Sequence, residues 1–176
     1  MYPVLRLAKE MIRVTRMPAL PPDGVHETHH ICWPIDLDFQ FEMNNGRVLT
    51  IYDLGRIPLA YRVGLLKVMR ENKWGFAMAG ASVRYRRRVP GFARLRMTSR
   101  SVARDARFIY LEQTMWLGAE AASNILYRSA ITSKSGIVPT DEVADAMGAA
   151  TWRPEPPDWV AHWIDAEAHR PWPPEA

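Results

Sequence analysis

Between Asp36 and Val48 the chain reads DLDFQFEMNNGRV, with three carboxylates and two asparagines threaded through Leu37, Phe39, Phe41 and Met43. Asn44 or Asn45 is well suited to cap a helix, because a short carboxamide can accept the free N–H groups of a first turn. Those N–H groups and the positive end of the helix dipole could hold a developing oxyanion. Gly46 would let a substrate approach the backbone closely. Asp38 lies a few residues upstream, where an extended segment must turn into the helix. A carboxylate beside such a hole attacks a thioester directly or activates water for the attack. Phe39, Phe41 and Met43 would wall the site and raise the carboxylate's basicity by desolvation. The same residues also allow a plainer account, in which Asp36 and Asp38 satisfy loop donors and Asn44 only caps the helix.

Other groups are less suggestive. HETHH offers His26, His29 and His30, and in a strand the first and last share a face while His29 takes the other. No further Cys or His completes a tetrahedral set, so no metal is expected and the rings should sit at the surface or partly buried. Cys32, the one cysteine, stands in the apolar run HICWPI, where a small buried hydrophobe is expected and no disulfide can form. A reducing, cytoplasmic setting follows from that reading. No Gly-rich phosphate loop and no Gly-x-Ser-x-Gly elbow occurs.

The elements that must position the loop read as follows. MYPVLRLAKEMIRVTRM forms a short amphipathic helix with Leu5, Ala8, Met11 and Ile12 on one stripe. Such a helix docks on its own domain or lies on a membrane surface; Arg6, Lys9 and Arg13 interrupt it too often for a signal peptide. After the break MPALPPDG comes an extended segment from Val25 to Phe39, then a helix from Asn44 with Val48, Leu49, Tyr52, Leu59 and Val63 at helical spacing. Pro58 predicts a kink or a break there. From Trp74 the period changes to two, giving four strands separated by PG, RDA and GAEA turns, which predicts an antiparallel meander. The layout is α+β, one sheet with one long helix packed on it.

Of 176 residues, 48% are hydrophobic and 24% charged, ordinary for one domain with a real core. No apolar run is long enough to span a membrane. The net charge of +4 is unevenly spread: nine arginines lie between Arg84 and Arg107, against one acid, Asp105. In VRYRRRV, Arg84, Arg86 and Arg88 should point one way and Val83, Tyr85, Arg87 and Val89 the other. They form either a solvated face or a ledge for phosphates. Nucleic acid is not expected, since the nearby aromatics sit where a sheet core needs them. The segment from Thr151 holds four of seven tryptophans and six of fourteen prolines. It reads as an arm packed on the domain or a partner, with Trp159, Trp163 and Ala166 on a short helix after Pro157.

The loop resembles the signature of the hotdog-fold acyl thioesterases, the 4-hydroxybenzoyl-CoA and acyl-ACP thioesterase group, whose motif runs approximately Asp-x-Asp-x-x-x-His-x-Asn-Asn-x-x-Tyr. Asp36 and Asp38 match the two aspartates, and Asn44 and Asn45 the asparagine pair. Glu42 stands at the usual His and Val48 at the usual Tyr. The resemblance covers about Val25 to Met147 and implies a hotdog fold, an antiparallel sheet of five to six strands wrapped around one long helix. Residues 1–20 then form an N-terminal helix, 25–147 the hotdog domain and 148–176 a C-terminal arm.

What the resemblance implies about function is specific. Asp38 becomes the catalytic base or nucleophile, with backbone N–H groups near Asn45 and Gly46 as the oxyanion hole. Glu42, a second acid near Asp38, becomes a further catalytic candidate, since one of two acids sharing a pocket has its pKa raised. Asp36, Asn44 and Phe39 fall on the substrate side, and Arg86, Arg87 and Arg88 would meet the phosphates of coenzyme A. The substrate would be an acyl-CoA or acyl-ACP, with no cofactor beyond coenzyme A as part of it. The assembly would be a homodimer or homotetramer with the site between subunits, and the N-terminal helix allows a peripheral membrane contact. The alternative is a hotdog protein that binds acyl groups or a protein partner without hydrolysis.

Overall fold

The computed structural model describes residues 2–171 together with 173 and 174. Met1 and residues 172, 175 and 176 of the C-terminal arm lie outside the described residues. The chain runs α1 (Val4–Val14), β1 (His26–Ile31), a 3-10 turn (Pro34–Asp36), α2 (Asn45–Arg62), α3 (Leu65–Asn72), β2 (Gly75–Tyr85), β3 (Arg94–Arg104), β4 (Ile109–Leu117), β5 (Glu120–Ser133), β6 (Gly136–Ile137), α4 (Thr140–Ala146) and α5 (Asp158–His169). All strand pairs are antiparallel, and the spatial order is β1-β3-β4-β5-β2, with β6 beside β5. The curled sheet and its long central helix make this a hotdog fold.

Only β3, β4 and β5 form a meander. β2 lies on the far side of β5 instead of beside β3. Alternation tells which way a side chain faces but not which strand is the neighbour. The crossing from β2 to β3 is fixed by a bend, in which the N–H groups of Arg86 and Arg87 both donate to the Ala122 carbonyl. β2 therefore ends at Tyr85, and the alternation expected through Arg88 stops there.

α2 lies on the concave face. Val48, Ile51, Tyr52, Leu54 and Leu59 bury against Leu95, Met97, Leu111, Met115, Ile125 and Tyr127. Leu49, expected inside, is 39% exposed. Pro58 does not break the helix. It forfeits one backbone bond within a run held by burial, and the chain turns only at Gly64, whose φ of +83° suits glycine.

α5 covers part of the outer face, where Val160, Trp163 and Ile164 pack on Phe108, Tyr110, Leu126 and Ala130. Trp159 is exposed, and Val160 is the fully buried residue of this helix.

α1 docks in the opposite sense to its apolar stripe. Glu10 and Val14 are buried, while Leu5, Ala8 and Ile12 face outward. Nearby, His26 and His30 are buried on the concave face of β1 and not at the surface, because α2 lies over that face. His29 points out and pairs with Glu27. Cys32 is fully buried, and burial pushes its thiol up to about 11, which makes it a poor nucleophile at neutral pH.

Candidate active site at the start of the central helix

The loop between β1 and α2 is pinned by Asp36. Its side chain is fully buried and accepts from the Trp33 N–H at 2.9 Å, from Arg6 at 2.8 Å and from Arg47 Nε at 2.5 Å. Burial alone would raise the Asp36 pKa, but the hydrogen bonds from Arg47, Arg6 and Trp33 outweigh it and hold the carboxyl below its usual range. Its backbone carbonyl accepts the Asn44 N–H at 2.9 Å, which ties the two ends of the loop together.

Between those ends the chain forms a tight hairpin. Leu37 bridges Met43, and the Asp38 N–H donates to the Glu42 carbonyl at 2.9 Å. Asp38 and Glu42 thus stand opposite each other across the hairpin. Asp38 Oδ1 accepts the Gln40 N–H at 2.8 Å and closes the turn. Phe41 takes a φ of +60°, uncommon for a bulky residue. Met43 and Leu37 reach the core, but Phe39 and Phe41 at the tip are 87% and 79% exposed. They do not wall the carboxylate in the single chain, because the hairpin turns its tip away from the body.

Asn44 caps α2. Its carboxamide oxygen accepts Gly46 N–H at 2.9 Å and Arg47 N–H at 3.2 Å. Of the two amides expected to form an oxyanion hole, Gly46's is therefore occupied. The Asn45 N–H meets no acceptor among the described residues.

Asn45 opens on a cleft of about 180 Å³ that also takes in Glu42, Tyr85, Ser123 and the arginines Arg86, Arg87 and Arg88. Arg88 Nε lies 3.1 Å from Glu42, and Arg87 pairs with Glu120 at 2.5 Å. Arg86 has no carboxylate partner among the described residues. A depression on the other side of the loop holds Asp36, Asn44 and Gly46 beside Tyr2 and Arg47. Asp38 and Phe39 line neither hollow.

Tyr85 and Phe92, expected in the sheet core, are 43% and 65% exposed, and neither Tyr85 nor Ser123 reads as a site residue in the sequence. Tyr85 donates from its hydroxyl to the Asn45 carbonyl at 3.3 Å, and Ser123 shares a hydrogen bond with Tyr52. No local signal marks them, since both come to the helix start only through strand pairing. The arginine-rich middle is partly neutralised: Arg96 pairs with Glu27, Arg100 with Glu112 and Arg104 with Asp141. The charge left for an anion near the helix start centres on Arg86.

Comparison with known proteins bears on the family and the fold. A family model described as a thioesterase-like superfamily matches residues 32–164. Protein THEM6 of Xenopus laevis is 30% identical over 142 residues, covering 79% of this chain and 67% of that protein. Protein THEM6 of Drosophila melanogaster is 31% identical over 139 residues, covering 77% and 70%. Among solved structures, the YbaW probable thioesterase from Escherichia coli superposes with a TM-score of 0.66 at 17% identity, over 71% of this chain and 98% of that one. Slr0204, a 1,4-dihydroxy-2-naphthoyl-CoA thioesterase from Synechocystis, gives a TM-score of 0.60 at 9% identity, over 70% and 95%.

Proposed function

Because the chain belongs to the thioesterase-like superfamily, we propose that it hydrolyses an acyl thioester, carried by coenzyme A or an acyl carrier protein, and acts as a homodimer. The observation that carries this reading is the fastening of a two-carboxylate hairpin to a helix start whose first N–H is open. The thioester carbonyl oxygen would take the Asn45 N–H, supported by the dipole end of α2. Water that Asp38 deprotonates attacks the carbonyl carbon and the thiolate leaves; where Asp38 itself attacks, water then cleaves the acyl-aspartyl anhydride and restores the carboxylate. Glu42 across the hairpin is the second acid, on the cleft and 3.1 Å from the exposed Arg88. Arg86 is available to a phosphate of the thiol carrier.

Separate Asp38→Asn and Glu42→Gln variants, assayed on a panel of acyl-CoAs, test the roles. Asp38→Asn should lower hydrolysis at least about a hundredfold, the lower end of general acid–base contributions. Glu42→Gln should cost less. A reversed order moves the catalytic role to Glu42, and two variants at full rate would remove carboxylate catalysis altogether. Glu42 at the position of the family's usual His also favours a second reading, an acyl-binding protein without turnover. That reading requires saturable acyl-CoA binding with no thiol released.

A further inference from the structure

We propose that the face formed by α1 and the end of β1 docks on a lipid bilayer that contains anionic phospholipids. α1 is seated by a mixed face, with Leu7 and Val14 packed inward beside polar contacts. Tyr2 donates to Asp53 at 2.9 Å, Arg6 to Asp36 at 2.8 Å, and Glu10 is buried beneath the helix. The apolar stripe is left outside, with Leu5 87% and Ile12 61% exposed. A helix that needed only to complete its own domain would turn that stripe inward. Lys9, Arg13 and Arg16 flank the stripe along one side.

That basic flank descends into a groove of about 590 Å³ between α1 and β1, lined by Arg6, Lys9, His29, Arg94 and Arg96. Two acids stand near it. Glu10 is buried and lies 3.6 Å from Arg13, while Glu27 is occupied by Arg96 and His29. Lys9 and Arg94 have no carboxylate partner among the described residues. Across the groove stands Trp33, in edge contact with Phe92, whose ring is 65% exposed. Phe92 is held at a φ of +62°, a conformation a bulky side chain adopts only when its surroundings impose it.

Two apolar ridges with a basic trough between them match the layering of a membrane surface. Leu5 and Ile12 on one side, and Trp33 and Phe92 on the other, reach past the headgroups. The trough then meets the phosphate band. A two-fold contact with a second copy fits poorly, because it would bring two copies of the same basic face together.

Sedimentation of the purified full chain with vesicles tests this. It should pellet with phosphatidylcholine vesicles in which about a third of the lipid is phosphatidylglycerol, less at high salt, and not with phosphatidylcholine alone. Lys9→Glu with Arg94→Glu should weaken binding about 30-fold or more, since each basic side chain beside an anionic surface is worth about a fivefold preference. Leu5→Glu with Ile12→Glu should weaken it at least about tenfold. All four side chains are exposed, so an unchanged melting temperature certifies the fold. Failure of the wild type to pellet would overturn the proposal. So would variants that pellet like the wild type, or a change of oligomeric mass in Leu5→Glu with Ile12→Glu. Hydrolysis of a short, water-soluble acyl-CoA should be equal in all forms. Vesicle binding without any such hydrolysis would leave this surface standing and reject the thioesterase reading.

Discussion

His26 shows how a single residue registers its surroundings. Arg62 Nη1 lies 3.0 Å from its Nδ1, and a guanidinium only donates, so Nδ1 must accept and the ring must be neutral. Burial first, then the charges of Arg62 and Arg13, lowers the His26 pKa to about 4, and burial does the same to His30. An unfolded histidine takes its proton near pH 6.5, so between that value and about 4 the unfolded chain binds more protons than the folded one. Stability therefore falls as pH drops through this window. The two rings together should cost about 3 kcal/mol between about pH 6.5 and pH 5, read from urea denaturation at each pH. His26→Gln keeps an acceptor for Arg62 and should remove about half of that dependence. The period of two already separated His26 and His30 from His29. It could not show their burial, because the helix that covers them comes from a distant stretch of chain.

At the scale of elements, the close approach of α2 to the sheet decides where the helix start sits. Gly55 makes that approach possible: a Cβ there would lie 2.5 Å from Ser99 Oγ and 2.9 Å from Gln113 Nε2. Both groups are buried, and Gln113 Nε2 donates to Ser99 Oγ and to the Tyr52 carbonyl, so neither yields easily. Gly55→Ala should destabilise the fold by about 2 kcal/mol in denaturant unfolding, and lower hydrolysis as the start of α2 shifts. The existence of α2 was legible from Asn44 and the spacing of Val48 and Tyr52. Its end was not, because Pro58 is a local signal that tertiary burial overrides. The Asn44 cap and the hairpin donors of Asp38 were likewise readable from short-range chemistry. The cleft that joins Asn45 to Tyr85, Ser123 and Arg86 was not, since it is made by pairing β2 with β5 across some forty residues.

For the whole molecule, the two faces of the sheet and its edge strands set the choices for assembly. β2 is an edge strand exposed along nearly its whole length, a template for pairing with another chain. α5 and its Val160 and Trp163 cover part of the outer face, which obstructs stacking of sheets back to back. Light scattering should therefore give twice the 20.2 kDa chain mass, about 40 kDa. A fourfold mass would show that α5 does not close that face. One contact spans these scales. Asp36 belongs to the loop that carries Asp38 and Glu42, yet one of its two guanidinium partners, Arg6, belongs to α1. Whatever steadies that helix also removes freedom from the loop. Free-energy coupling between two sites is reciprocal, so an occupant on α1 and an occupant of the cleft would each strengthen the other's hold by the same factor.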